Sequence, residues 1–564
     1  MKKTALTILL TVIVSAAHAQ VAYDAWRFSQ NNYEGTARSV AMGNAFTALG
    51  GDLGAVSINP ASSAVAGYSQ LTLTPSITIS STTTGGVLPP GGSVLTYFDK
   101  EYKSNYTRAG IPNIGFTFDF NTGRKSGLKS FTVGFIMNRT NSWCEDVYAA
   151  GTNRTTSFAA ALADKATSTI AEFNQYKDPS QTVDFSADDY LMDNAYEYMP
   201  WDETIGYRSG MISAYGDEGK KFIGATEILY DNGNINQEGE LYQTYGRSVY
   251  GNKYEYLFNI GTNISDFVYI GFNLGINSLT YDETSYFKEA AVDEGDFKNE
   301  FSDGAYTYFR NLTYKSSYSA SGTGIFGKLG IIITPGYGLR FGASIQTPTS
   351  TTIREEWRES GSTTFSDSKY DGNETSPLGQ DEYSFNSPFR ASFGVAYTLG
   401  RFAVISADYE VADYSGMKYM IDHNNMSERR ILHFETVNDD IRQAYGAAHQ
   451  FRIGAEVKPL STLAVRAGYN LLTSAQKKAY DGYTEEYYDI DPTYAHSLSF
   501  GLGYISRKSF FADLACRHSF ATTESYCPYD TYQYDGNGNV LNYSPEIFIR
   551  SSNWKVLLTL GWRF

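Results

Sequence analysis

The sequence predicts an all-β fold: an antiparallel transmembrane barrel of about 14 strands of the outer-membrane kind, with an N-terminal hatch plugging its lumen. Three observations carry this reading. The chain begins with an export signal, it is full of short segments whose hydrophobicity alternates residue by residue, and the gaps between those segments alternate short and long.

The export signal is residues 1–19. Lys2 and Lys3 form a basic start, Ala5 to Val14 an apolar core too short to span a bilayer, and Ala17-His18-Ala19 a small-x-small cleavage site. The whole chain of 564 residues carries a formal net charge of −16, and loss of the two lysines makes the mature chain more acidic still. That balance excludes nucleic acid as a partner. Three cysteines, Cys144, Cys516 and Cys527, are too few for a disulfide framework in an exported chain this long; Cys516 and Cys527 either pair or stay free. No later segment is apolar enough for a membrane helix, whereas Gly (52), Tyr (46) and Phe (34) are abundant and the mean hydropathy is −0.34.

Alternation then places the strands. "QLTLTPSITI" puts Leu71, Leu73, Pro75, Ile77 and Ile79 on one face, "NIGFTFDF" does so with Ile114, Phe116, Phe118 and Phe120, and "FVYIGFNLGIN" with Val268, Ile270, Phe272, Leu274 and Ile276. Such runs fall near 70–79, 113–120, 130–138, 254–264, 267–280, 324–333, 338–347, 388–398, 402–412, 450–457, 462–471, 496–505, 509–519 and 553–564. The gaps after even strands are short turns and the gaps after odd strands long loops, as in a barrel with a periplasmic and an outer rim. A soluble sandwich has no reason to sort loop length by parity. The apolar face is then the lipid face. The other lines the lumen and carries Arg340, Arg390, Arg452, Arg466 and Arg517 with Asp408, Glu410, Glu456 and Asp513. The last strand, Trp554 to Phe564, ends in an aromatic and has one bulky face, with Trp554 and Trp562 at girdle depths.

Two regions are not barrel. The loop 139–253 is too long to lack structure. Its stretch "SFAAALADKATSTIAEF" spaces Phe158, Leu162, Ala166, Ile170 and Phe173 for a helix, either packed over the barrel mouth or capturing substrate. Residues 20–68, rich in Gly and Ala, precede the first strand and are small and pliable enough to fold inside the lumen as a plug.

Other motifs carry little. "GTGIFG", with Gly322, Gly324 and Gly327, enters a strand, so no helix N-terminus follows to hold a pyrophosphate. Asp535, Asn537, Asn539 and Glu546 have calcium-loop offsets, but Val540 stands where that loop needs Gly. His423, His433, His449, His496 and His518 are scattered, and none is singled out as a haem ligand. His518 and Ser519 are adjacent on a strand, face opposite ways and form no dyad. No constellation argues for an enzyme, and no cofactor is expected.

The plug segment carries a resemblance. "ARSVAMGNAFTAL" followed by "DLGAVSINPAS" resembles the N-terminal hatch of the long-chain fatty acid transporter family, the FadL/TodX group, whose Asn-Pro-Ala hallmark is matched by Asn59, Pro60 and Ala61. "GTNISDFVYIGFNLGINSLTY", "KLGIIITPGYGLRFGASIQTPT", "SPFRASFGVAYTLG" and "RIGAEVKPLSTLAVRAGYNL" are similar to its strands, in order along the chain. The resemblance implies a plugged 14-stranded monomer in the outer membrane, assembled through a C-terminal strand (here Trp554–Phe564) that the barrel-assembly machinery reads. It implies a passive path for hydrophobic molecules, long-chain fatty acids foremost. They would be gated by the hatch (Gly43, Asn59, Pro60, Ala61) and released sideways into outer-membrane lipid through a kinked third strand. Gly134 is the candidate kink, or else an ordinary packing glycine. Arg390, Arg452 and Arg517 are candidate anchors for a ligand carboxylate, or else partners of Asp408, Glu410 and Asp513 in a structural network. The longer 139–253 loop and Tyr-rich outer loops depart from the family pattern. They leave a second reading open, a docking barrel for exported proteins with that loop as the contact surface.

Overall fold

Strands of alternating apolar and polar residues have one stable outcome in lipid: a sheet closed on itself, so that every backbone N–H and C=O is paired. The computed structural model describes residues 22–88, 97–177, 184–216, 218–230, 235–300, 304–481, 486–506, 509–531, 533–534 and 540–564. The expected export signal, residues 1–19, and Asp535, Asn537 and Asn539 lie outside them.

Fourteen antiparallel strands close into one barrel. They are β1 (Gln70–Gly86), β2 (Tyr102–Asn121), β3 (Leu128–Asn153), β4 (Leu241–Ile264), β5 (Val268–Ala291), β6 (Tyr306–Gly336) and β7 (Leu339–Gln346). The rest are β8 (Arg390–Leu399), β9 (Ala403–Asp413), β10 (Ala447–Leu460), β11 (Leu463–Thr473), β12 (Tyr494–Ile505), β13 (Phe510–Tyr526) and β14 (Ile547–Arg563). Each pairs with the next, and β14 returns to β1 with Arg563 opposite Gln70 and Ile547 opposite Gly86. The C-terminal Phe564 extends that seam through its backbone to Ser69, at 3.0 and 3.2 Å. Outward-facing residues are apolar: Leu71, Ile77, Phe116, Phe272, Val556, Leu558 and Trp562 are exposed, while Thr72, Thr74, Thr78, Lys555 and Thr559 between them are buried. Gly322, Gly324 and Gly327 lie within β6, in strand geometry.

All fourteen expected strands exist, and several run further than alternation foretold. β3 has 26 residues, β4 and β5 have 24 each and β6 has 31, against 11 in β9 and 11 in β11. One side of the wall therefore rises far above the other. Above Pro348 and Pro388, Ser350–Phe365 and Gly379–Asn386 continue β7 and β8, pairing with upper β6 and with each other. Proline at such breaks is expected, because it cannot donate to a ladder. The expected loop 139–253 is shorter in fact. Its first residues belong to β3 and its last to β4, leaving 154–240 as loop.

That loop folds into a cap. Helix α4 (Phe158–Tyr176) starts where Ser157 Oγ accepts from Ala159 N at 3.1 Å. It buries Leu162, Ala166, Ile170 and Phe173, the stripe its spacing indicates. These pack with Tyr190, Met199, Phe222 and the strand-top residues Phe297, Phe309 and Phe365. A second cap helix, α5 (Trp201–Arg208), crosses beside it. On the low side of the wall, α6 (Glu428–Ala444) buries Phe434, Val437 and Ile441 against Tyr419 and Met417. Cys144, Cys516 and Cys527 are free thiols.

Candidate functional site: a plugged lumen with a parted wall

Residues 22–68 lie inside the barrel. Helix α1 (Ala22–Ser29) sits in the upper lumen, where Phe28 meets Trp143 and Tyr281 edge-on. The Lys253 ammonium donates to the Phe28 and Gln30 carbonyls at 2.9 and 3.1 Å, a cation placed at the negative end of the helix. Below it, α2 (Ala37–Ala41) and α3 (Ser62–Ala66) fill the lumen with Ala, Ser and Val.

The hatch fits because its small residues meet glycines of the wall. A Cβ at Gly271 would stand 2.2 Å from the Pro60 carbonyl carbon, and one at Gly330 would stand 1.9 Å from Asn59 Oδ1. The Asn59-Pro60-Ala61 turn is pinned there. Asn59 Nδ2 donates to the Thr47 and Ile331 carbonyls at 2.7 and 3.2 Å, and Asn59 Oδ1 accepts from Ala61 N at 3.0 Å. Gly43 adopts φ +63°, a left-handed turn pressed on the Tyr469 backbone, and a Cβ would come within 2.9 Å of it.

Buried ion pairs complete the seal. Arg38 of the hatch meets Glu456 at 3.0 Å, which Arg466 meets at 2.6 Å, and Asp408 accepts from Thr47 N at 2.7 Å. Glu34, 1% exposed, faces Arg139 at 2.6 Å, Arg517 at 3.7 Å and the Lys555 ammonium. The three expected anchors are thus engaged within the protein. Arg390 meets Glu410 at 3.3 Å and donates to the Ser29 carbonyl at 2.6 Å; Arg452 meets Glu410 at 2.6 Å; Arg517 meets Glu34 and donates to the Tyr33 carbonyl. The partners are Glu410 and Glu34 rather than Asp513, which pairs with Arg466 at 2.6 Å.

The wall parts between β2 and β3. Their ladder runs from Asn121 opposite Ser130 up to Asn113 opposite Asn138, and stops. Above it β2 pairs with β1, β3 pairs with β4, and no ladder joins β2 to β3 among the described residues. Here the hatch takes β3 over. Asn32 N and Glu34 N donate to the Thr140 and Arg139 carbonyls at 2.5 and 2.8 Å, and the β3–β4 register shifts between Arg139 and Asn141. Past that bulge β3 leans toward the inner faces of β14 and β1: Lys555 Nζ donates to Ser142 Oγ at 2.8 Å, Ser551 bonds Glu145, and Thr84 bonds the Tyr148 carbonyl. Gly134 is in unbroken register with Thr117 and Asn259, and the β3–β4 register shifts on either side of it, between Leu128 and Ser130 and between Arg139 and Asn141. Across the gap Arg108 of β2 reaches to β4, donating to Gly251 O at 3.0 Å and lying 3.8 Å over the Tyr250 ring.

Cavities lie above the seal. One of about 280 Å³ in mid-lumen is lined by Asn31, Asn141, Arg390, Gln450, Asn470 and Asn553 among others. One of about 350 Å³ lies beneath the cap, with Tyr23, Arg27, Tyr245, Tyr286, Tyr318 and Phe287 in its walls. Of the residues that shape the seam, Glu34, Arg108, Arg139 and Lys555 were not singled out by the sequence. Each reads there as an ordinary surface charge.

No protein-family model matches the chain, and no curated protein matches it. Solved structures similar to it include a Pseudomonas aeruginosa FadL homologue, 11% identical over 95% of this chain and 99% of that one, with a TM-score of 0.48. The Pseudomonas putida toluene transporter TodX is 11% identical over 95% and 100%, with a TM-score of 0.43. The Ralstonia pickettii toluene transporter TbuX is 14% identical over 94% and 98%, with a TM-score of 0.41. Identities this low say nothing of cargo.

Proposed function

We propose that this protein is a passive outer-membrane channel for hydrophobic small molecules, which pass the cap, enter the upper lumen and leave sideways into the bilayer. The observation that carries the proposal is the parted wall above Asn113 and Asn138, in a barrel whose lower end is filled by the hatch. A molecule in such a lumen has lipid beside it and a packed plug beneath it. Lateral exit spares an apolar cargo from crossing water, at roughly 0.8 kcal/mol per CH2. Long acyl chains gain most from that route. Arg390, which lines the mid-lumen cavity, would meet a fatty-acid carboxylate by giving up Glu410. Arg108 then acts as a bolt across the exit.

The test is the bulge. Deleting Thr140 restores the phase of β3 and removes its hold on Asn32, letting β3 zip onto β2. Vesicles carrying this variant should lose uptake of a fluorescent acyl alcohol and of the matching fatty acid, while the barrel still shows the heat-dependent gel shift of a folded one. Undiminished uptake would sink lateral release. If neither parent nor variant passes a probe, and residues 154–240 capture a stoichiometric exported protein, the docking-barrel reading takes its place.

A further inference from the structure

A cavity of about 570 Å³ opens in the cap between α4, α5 and residues Pro528–Thr531. Its walls are aromatic. Phe158 lies 5.3 Å from Tyr314 and 6.0 Å from Tyr529, and Trp201 lines the cavity with them. Carboxylates outnumber cations in it four to one: Asp164, Asp202, Glu359 and Asp530 all line it. The cation in the lining is Lys165, which is already bound, 2.5 Å from Asp202 and 3.9 Å from Glu203. Asp202 still leaves Oδ1 without a hydrogen-bond partner among the described residues.

Aromatic faces present negative charge to a ligand, and so do carboxylates, so both features of the lining select the same sign. An anion would enter against four carboxylates with no unengaged cation in the lining to meet it. The chain's own lysine ammonium already rests in this wall. We propose that the cavity is a binding site for an organic ammonium ion, with Phe158, Trp201, Tyr314 and Tyr529 as its cage and Asp164 and Asp202 as its counter-charges. The site lies in the cap, so it stands whether or not cargo leaves through the parted wall.

Choline is the probe, set against its uncharged tert-butyl alcohol analogue, in which carbon replaces the quaternary nitrogen, and against the matching carboxylate. Calorimetric titration of the full chain in detergent should show choline bound about tenfold or more tighter than the alcohol, with the carboxylate weakest. Asp164 is exposed, so Asp164→Asn should leave the fold intact, checked by an unchanged heat-dependent gel shift. It should weaken choline several-fold and leave the alcohol unchanged. Trp201→Phe should retain part of the affinity that Trp201→Ala loses. Equal binding of choline and alcohol, or preference for the carboxylate, overturns the proposal. So does choline binding abolished by about 0.15 M sodium chloride, the mark of diffuse surface attraction. Choline binding in a protein that passes no acyl probe would retain this site and discard the channel.

Discussion

Hatch and cap close opposite ends of one barrel by different means. The hatch, residues 22–68, presses small residues onto glycines of the wall and threads its charges into buried pairs with Arg139, Glu456 and Lys555. The cap, residues 154–240, has a hydrocarbon core of its own, built from α4, Tyr190, Phe222 and the tops of β4 and β6. The difference concerns what each can give up. A charge buried against the wall cannot shift without stranding its partners, so the hatch moves as part of the barrel or not at all. A lid with its own core can loosen while the barrel beneath it stays shut.

Three changes press on that contrast. The largest effect is expected from Glu34→Ala, which strands Arg139, Arg517 and Lys555 in the lumen and should cost about 3–5 kcal/mol. It should also remove the side-chain part of the hatch's hold on β3, at Arg139 and Ser142, while the backbone bonds from Asn32 and Glu34 stay. The thermal midpoint of the detergent-solubilised barrel should fall and bilayer conductance should rise; a variant as stable and as tight as the parent would erase the distinction. Next, Phe173→Ala in α4 removes a ring that is 6% exposed, for about 3 kcal/mol. Hydrogen exchange should accelerate across 158–230 and stay unchanged from 22 to 68. Equal acceleration in both would mean that the two ends unfold as one. The smallest effect is a pH dependence. Burial pushes the Glu227 carboxyl up to about 7 from 4.5, against the Gly224 N–H that it accepts at 2.8 Å. The folded cap therefore holds more protons than the unfolded one between those values. Its stability should be full below about pH 4.5 and fall by roughly 1–3 kcal/mol as pH rises through 7. Glu227→Gln should flatten the profile in intrinsic-rate-corrected exchange; a profile unchanged by the substitution would assign the effect elsewhere. Glu203 moves the same way, through burial and the neighbouring Asp202 charge.

The lower halves of all fourteen strands were legible, because lipid on one side and a polar lumen on the other impose the period of two. The upper reaches of β1 to β6 were not, whereas β7, β8, β9, β11 and β12 were legible over nearly their whole length. In "YKSNYTRAG" of β2, or "YTYFRNLTYKSSYSASGT" of β6, both faces are polar or carry tyrosine, and alternation vanishes once lipid no longer dictates it. The α4 stripe was legible for the same reason as the strands: one face is buried and one is not. Glu34 was not. "NNYEGTARS" reads as a wetted loop, and only closure of the barrel around it makes that carboxylate the counter-charge of three cations. Glycine marks bends or simply packs, and Gly134 keeps its place in the ladders on both sides. The register shift beside the parted wall is at Thr140, where the backbone of Asn32 and Glu34 takes over the hydrogen bonds of β3, and no side chain announces that.

The return of β14 to β1 sets an order of events for assembly. Gln70 finds Arg563 across almost the whole length of the chain, so these partners meet only after every intervening hairpin has been made. The hatch precedes β1, and its Ala37 N donates to Thr559 of β14 at 2.7 Å. It must therefore already lie within the curling sheet when the last strand arrives. Closure then shuts the hatch in, and a sheet that sealed ahead of it would leave an open pore with its stopper outside.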